Sequence, residues 1–413
     1  MMKTTQELSL RQGQPLWLPS GGHERTYPSL RGHHDVDVAI VGGGMTGALI
    51  ALEFASAGVS VSVLERALVG RGSTAASSAL LLQEPDKEMA ELTNRYGRAA
   101  SRRVWQLTHD AVRDLIEILK RVRIDCGLVE RDAIYFAREP GAADRLREEF
   151  VRRTNAGFSG HWLTPGALRR QTGIAGRGAI RTSGNAQFNP YKACLGLLKA
   201  AEQSGAKLFE RSAVTRIDSR RHRVRLHTRN GRIDADRVVI ATGYATTQFR
   251  PLAGRFRLYY TYVLATPPLS DSERRKLGLG AVMIWDTKRP YHYARWTADH
   301  RLLLGGGDRP VRAGERRDIR FTTATRELRD EFESLLPGLT DIEIERAWEG
   351  LFAMTPDSLP YIGPHRRYPG HLFALGYGGN GMTFGILAAR MLLEQWQGIR
   401  SPDHRLFRFG RRR

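Results

Sequence analysis

The chain has little cysteine, little lysine and no long apolar run. Cys126 and Cys194 are its only cysteines among 413 residues, too few for a disulfide framework or a thiolate-held metal. Its 12 histidines are scattered without zinc spacing, and His33-His34 reads as exposed loop, so no metal is expected. No apolar stretch is long enough to span a bilayer. The opening "MMKTTQELSLRQGQPLW" lacks the apolar core of a secretory signal, so a cytoplasmic protein is expected. Only eight of the 64 basic residues are lysine. The net charge of +21 therefore comes from arginine, dispersed through "RAASRR", "KRVR", "RIDSRRHRVRLHTR", "ERRDIR" and "RLFRFGRRR". No aromatic-interleaved basic box accompanies it, which leaves nucleic acid only a nonspecific electrostatic claim as a partner. The terminal "RRR" reads as a solvated tail.

What is present is glycine in two patterned places. In "DVDVAIVGGGMTGALIALEFASAGVSVSVLER", residues 36–41 form a short β-branched strand run. Gly42, Gly44 and Gly47 then give G-x-G-x-x-G, and apolar residues at helical spacing follow through Leu49, Leu52 and Phe54. The first glycine permits a tight turn, the second lets backbone approach a pyrophosphate, and the third lets the helix pack on the strand. The first helical turn, with Met45 and Thr46, offers amides and a positive dipole end to phosphate. Glu65 closes the next strand, eighteen residues after Gly47, where a carboxylate accepts from ribose hydroxyls. Arg66 and a second small-residue loop, "VGRGSTAASSALL", follow at once. NAD needs no such loop, whereas FAD extends further, and Gly72, Ser73, Thr74 and Ala76 are expected along its path.

The order and spacing of four stretches resemble the D-amino acid oxidase superfamily of FAD-dependent oxidoreductases, which includes glycine oxidase, sarcosine oxidase and γ-glutamylputrescine oxidase. These are the turn with Glu65, "GRGSTAASSALL", "FNPYKACLGLLKAAEQSGAKLFERSAVTRID" with "RVVIATGY", and "WEGLFAMTPDSLPYIGP" with "ALGYGGNGMTFGILAARMLLEQW". The resemblance implies an α/β fold: a discontinuous Rossmann-like FAD domain over 31–90, 186–250 and 345–400, and an antiparallel-sheet substrate domain over 91–185 and 251–344. A polar arm, 1–30, anchored by Trp17, and a basic tail, 401–413, complete the division. It also implies that Val214 meets the adenine and that Ala241, Thr242 and Gly243 lie beside the phosphates. The glycine-rich loop with Gly376, Gly379, Asn380, Gly381, Met382 and Thr383 then returns to the isoalloxazine. From the residues themselves, 190–204 reads as a helix, and "KLFE", "AVTRI", "HRVRLHT" and "RVVIATG" as small antiparallel strands with a turn at Asn230-Gly231.

The implied activity is oxidation of an amine or amino-acid C–N bond. Positioning residues are expected among Tyr259, Tyr260, Tyr262, Trp285, Tyr291, Tyr293 and Arg295, because aromatic walls exclude water and still offer hydroxyls. Strand alternation puts Tyr260 with Tyr262 on one face, and Tyr291, Tyr293 and Arg295 together on another. Three departures from relatives stand out. Gly350 occupies the place of a flavin-linking cysteine, which implies noncovalent FAD. Thr383 matches a lysine tied to oxygen activation. Phe352 replaces an arginine that clamps a substrate carboxylate, which Arg295 or Arg257 would have to supply instead. The alternatives are an enzyme acting on an aminomethyl-modified tRNA base, and a structural flavoprotein with a partner-binding basic surface. Oxidase and dehydrogenase stay open.

Overall fold

A computed structural model describes residues 9–19, 26–219 and 223–411. Apolar runs without alternation become strands buried on both faces. The strand Gly32–Val41 runs parallel to Val61–Leu64 on one side and to Gly231–Gly243 on the other. Outside these, Lys207–Phe209 and Tyr368–Leu375 also pair parallel, and Tyr361–His365 closes one edge antiparallel. "KLFE" is thus a parallel edge strand of this sheet. The hairpin Arg216–Ser219 and Val224–His227 hangs on the extended end of Gly231–Gly243. The helices Met45–Ser56, Pro190–Gln203 and Gly381–Trp396 cover the sheet and bury Leu49, Ile50, Phe54, Leu197, Phe384 and Ile386 in one core.

The alternating segments build a second, ten-stranded sheet. Along its main path lie Arg11–Gly13, Arg346–Met354, Arg257–Ala265, Leu302–Pro310, His292–Trp296, Met283–Asp286, Val129–Phe136, Ala179–Gln187 and Leu80–Leu81. One face packs on the helix Arg317–Leu335 through Tyr260, Tyr262, Leu264, Leu328 and Phe332. The opposite face turns toward the first sheet.

Several segments lie elsewhere than the sequence suggested. The strand Arg346–Met354, expected with the nucleotide part, pairs in full register with Arg257–Ala265. The arm contributes Arg11–Gly13 as that sheet's edge strand, paired with residues 348–350. Trp17 is indeed an anchor, its indole N–H donating to the Ser77 carbonyl at 2.7 Å. The helix Arg98–Arg121 sends Val104, Trp105, Leu115 and Leu119 into the core of the nucleotide sheet. His33 and His34 sit within a strand, where His33 hydrogen-bonds Asp234 at 2.9 Å. The C-terminal segment is packed down as far as Arg411: Phe407 is fully buried, and Arg411 is buried against Asp357. Residues 412 and 413 of the terminal "RRR" lie outside the described residues. No helix among the described residues is long and apolar enough to cross a membrane.

Candidate active site

A single long cavity of about 660 Å³ runs between the two sheets. One end is the first glycine turn. A Cβ on Gly47 would stand 1.9 Å from the Gly42 carbonyl oxygen; only glycine lets the helix Met45–Ser56 start this close to the strand it follows. Gly47 therefore shapes the turn without lining the cavity, while Gly42, Gly44, Met45 and Thr46 do line it. Glu65 also faces the cavity, and its carboxylate accepts from Gly43 N–H and Ala67 N–H, each at 2.9 Å. Thr74 Oγ1 accepts from Met45 N–H at 2.9 Å, so the second loop is tied to the first helical turn.

The middle of the cavity is walled by Gly72, Ser73, Thr74, Ala76, Val214, Ala241, Thr242 and Gly243, and Arg66 lines it beside Glu65 at the nucleotide end. Ser73 Oγ donates to the Leu351 carbonyl at 2.8 Å and joins this wall to the second sheet. Gly379, Asn380, Gly381 and Met382 line the far end. The helix Gly381–Trp396 begins there with no side-chain cap and no acid in its first turn, so its N-terminal amides and positive dipole end face this region. Gly376 supports from behind, its N–H donating to the Gly243 carbonyl at 2.9 Å. Thr383 does not reach the cavity surface. It is buried, and its hydroxyl donates to the Leu82 carbonyl at 3.0 Å.

Phe352, Thr261, Trp285, Tyr291, Tyr293, Asp86 and Asp308 close the far end. Phe352 stacks on Tyr259, with ring centroids 5.7 Å apart. Tyr293 lies across Gly305, where a Cβ would come within 2.2 Å of its ring. Gly305 is thus what admits an aromatic wall at this point. Asp86 accepts from Gly379 N–H at 2.6 Å. Burial pushes the Asp86 carboxyl up to about 7, against that hydrogen bond, and pushes Asp308 up to about 6 against a hydrogen bond from Thr261. The hydroxyls of Tyr291 and Tyr293 are likewise raised, first by burial.

Four expected positioning residues lie off the cavity wall: Tyr259, which stacks on Phe352, Tyr260 and Tyr262, which pack on the opposite face, and Arg295. Tyr260 belongs to the opposite face of its strand: its hydroxyl donates to the Ser9 carbonyl, and Arg317 and Arg320 lie 4.4 and 4.6 Å from its ring centroid. Alternation gives the cavity Thr261 instead. Arg295 is 1% exposed and donates to the carbonyls of Ser78, Trp296 and Phe188 at 2.7, 3.2 and 3.1 Å. Burial, with no carboxylate within ion-pair distance among the described residues, lowers its pKa to about 9, so it stays charged at neutral pH. It braces the loop behind the cavity and is not on the cavity wall.

Asp86 and Asp308 are the site residues that sequence reasoning missed. The signal for Asp308 was "LLLGGGD". Gly306 sits at a register shift opposite Tyr260 and Tyr262, and such an irregularity re-aims the side chains that follow it. Asp86, after "QEP", carries no comparable signal.

These residues fit FAD. The cavity joins a dinucleotide turn and a ribose-type acid at one end to an aromatic chamber at the other, and a Cβ at Gly243 would meet nothing within 4 Å. Covalent attachment through sulfur has no donor: Cys126 and Cys194 are buried off the cavity wall, and Gly350 lies on it against Ala76. Acid precipitation of the yellow protein is therefore expected to release all the flavin as FAD. Flavin remaining in the pellet would contradict this.

Comparison with known proteins agrees with this site. The family described as FAD dependent oxidoreductase (DAO) matches residues 37–395. The gamma-glutamylputrescine oxidoreductase of Escherichia coli (strain K12) is 28% identical over 370 residues, covering 88% of this chain and 84% of that protein. The glycine oxidase of Geobacillus kaustophilus (strain HTA426) is 28% identical over 376 residues, covering 87% and 93%. The crystal structure of glycine oxidase from Geobacillus kaustophilus superposes with a TM-score of 0.73 at 24% identity, covering 89% of this chain and 96% of that one. With the matched span taking in the glycine turn, both sheets and the last glycine loop, the chain belongs to the DAO family of FAD-dependent oxidoreductases.

Proposed function

We propose that the protein oxidises the C–N bond of an amine. The observation that carries this reading is the continuity of one cavity from the Gly42–Gly44 turn to the aromatic chamber of Phe352, Trp285, Tyr291 and Tyr293. FAD, when bound, supplies the hydride-accepting chemistry, and the imine product hydrolyses in water. The chain's own residues bind, orient and keep the site dry. Gly42, Gly44 and the first turn of Met45–Ser56 would receive the pyrophosphate, and Glu65 the ribose hydroxyls. Val214, Ala241 to Gly243 and Gly72 to Ala76 would line the cofactor's path, and Gly379 to Met382 its ring edge. Phe352 and the tyrosines would hold the substrate's alkyl chain and exclude water. The same family includes proteins named for an amine substrate and for an amino acid. Phe352 favours the amine, because burying a carboxylate beside a phenyl ring with no cation costs several kcal/mol. A cytoplasmic location suits the two free cysteines, both buried.

The test is anaerobic bleaching of the bound flavin across primary amines, N-methyl amino acids and D-amino acids. Bleaching by amines supports the reading, and no bleaching by any of these compounds rejects it in favour of a structural flavin or a macromolecular substrate. Glu65→Ala is expected to weaken FAD retention by about 1.5–3 kcal/mol, the scale of a charged hydrogen bond, without unfolding the chain. Titration of apoprotein with FAD checks this, and an unchanged Kd would remove Glu65 from the site.

A further inference from the structure

We infer that the chamber selects an amine bearing a second positive charge, held by Asp86 and Asp308 in the chamber that Phe352 also lines. The inference rests on the amine-oxidation reading and names the substrate class within it.

The cavity's charges are segregated. Among its described lining residues Arg66 is the only lysine or arginine, and it lies at the nucleotide end beside Glu65. The chamber end has Asp86 and Asp308, with no lysine or arginine in ion-pair distance of either among the described residues. Glu84 lines the cavity as well. It is 3% exposed, its Oε1 accepts from Thr182, and its Oε2 has no hydrogen-bond partner. The cation nearest to Glu84 is Arg153, at 3.8 Å, and Arg153 bonds more closely to Glu149 at 2.9 Å. One guanidinium thus serves two buried carboxylates, and the surplus charge on this side is negative.

The surroundings suit a cation as well. Trp285 and Tyr291 meet edge to face at 6.1 Å, and Tyr291 and Tyr293 lie 6.2 Å apart. Aromatic faces together with carboxylates are the chemistry that recognises alkylammonium groups. Arg289 and Lys87 act on Asp86 from a distance, and His292 acts on Asp308. None of these three lines the cavity; the Arg289 guanidinium lies 5.6 Å from the centroid of the Tyr291 ring. A buried, uncompensated carboxylate is costly. A ligand ammonium removes that cost, whereas a ligand carboxylate adds to it. Phe352 stands where a clamp for such a carboxylate would be needed.

The experiment uses holoenzyme and three probes of equal chain length: 1,4-diaminobutane, n-butylamine and 4-aminobutanoate. Anaerobic rapid mixing separates the half-saturating concentration from the limiting rate of flavin bleaching. The diamine is expected to half-saturate at least about tenfold below butylamine, with aminobutanoate weakest of the three. In Asp308→Asn, checked by its flavin spectrum for retained FAD, the ratio of butylamine to diamine half-saturation should collapse toward one. Asp86→Asn is the second variant and should do the same if Asp308→Asn fails to hold FAD. Equal half-saturation by diamine and butylamine in the native enzyme overturns the inference, as does tighter binding of aminobutanoate, or a ratio unchanged in both variants. Each of these leaves amine oxidation standing. Failure of all three probes, together with every other amine, to bleach the flavin rejects both.

Discussion

Arg411→Met is expected to lower the unfolding free energy by about 3–5 kcal/mol, the scale of breaking a buried ion pair and stranding one partner. Arg411 is third from the end of the sequence, in a run of arginines that reads as a solvated tail. Here its guanidinium donates to both Asp357 oxygens at 2.6 and 2.7 Å, and to the carbonyls of Pro360 and Phe407 at 2.8 and 3.2 Å. It also sits 4.3 Å from the Tyr361 ring centroid. Asp357 receives the Tyr96 hydroxyl and Thr355 Oγ1 as well. The clasp thereby joins the C-terminal segment, the 355–360 turn and the helix Met89–Tyr96. Burial alone would raise the Asp357 pKa, but Arg411, with Tyr96 and Thr355, holds it well below the usual carboxylate range. A folded pKa depressed below the unfolded value near ~3.9 stabilises above that pH and is lost as pH falls through the folded value. The gap between native protein and variant should therefore be full at neutral pH and narrow on acidification below about pH 4. Urea unfolding at both pH values measures it. Exposed Arg408→Met is the control, expected within about 0.5 kcal/mol of native. A variant as stable as that control would mean that the clasp does not hold the tail.

The nucleotide half was legible because its requirements are local. A strand, a turn of spaced glycines, a helix and an acid at the next strand's end are contiguous in the chain, so one stretch of sequence carries the whole geometry. The second glycine loop was legible only through resemblance, since a glycine-rich helix start has many uses. The substrate end was harder, because it is assembled across sheets. Alternation grouped Tyr260 with Tyr262, and both pack on one face; of the group Tyr291, Tyr293 and Arg295 only the two tyrosines line the cavity, and alternation cannot say which face meets the cavity. That depended on the helix Arg317–Leu335 covering the Tyr260 side. The strand Arg346–Met354 was assigned by its neighbours in sequence, whereas its register with Arg257–Ala265 placed it in the other sheet. Asp86 and Asp308 are far apart in the chain and meet only through the folded chamber. Arg411 looked like one of three terminal arginines, and nothing local marks it as the partner of an aspartate 54 residues earlier.

Arg295→Ala is expected to strip the protein of FAD and to lower its stability together, without changing any preference between amine and amino-acid substrates. The sequence allowed Arg295 as a carboxylate clamp. Its three carbonyl contacts and its place behind the cavity wall give it a different role. It ties Ser78 in the second cofactor loop to Phe188 and to Trp296, and its guanidinium lies 5.2 Å from the ring centroid of Trp17, which itself bonds the Ser77 carbonyl. Truncation leaves carbonyls without donors in a buried place, at about 1–3 kcal/mol for each group that water cannot reach, and removes a long stem from the packing. Residues 77–79 line the cavity, so loosening them should act directly on the cofactor. The expected outcome is a fall of at least about tenfold in FAD affinity on titrating apoprotein, with a lower Tm in the same sample. Arg295→Lys should restore little, because an ammonium is a point donor without the planar fork that reaches divergent carbonyls. Native FAD affinity in Arg295→Ala, together with loss of amino-acid turnover alone, would return Arg295 to the substrate site.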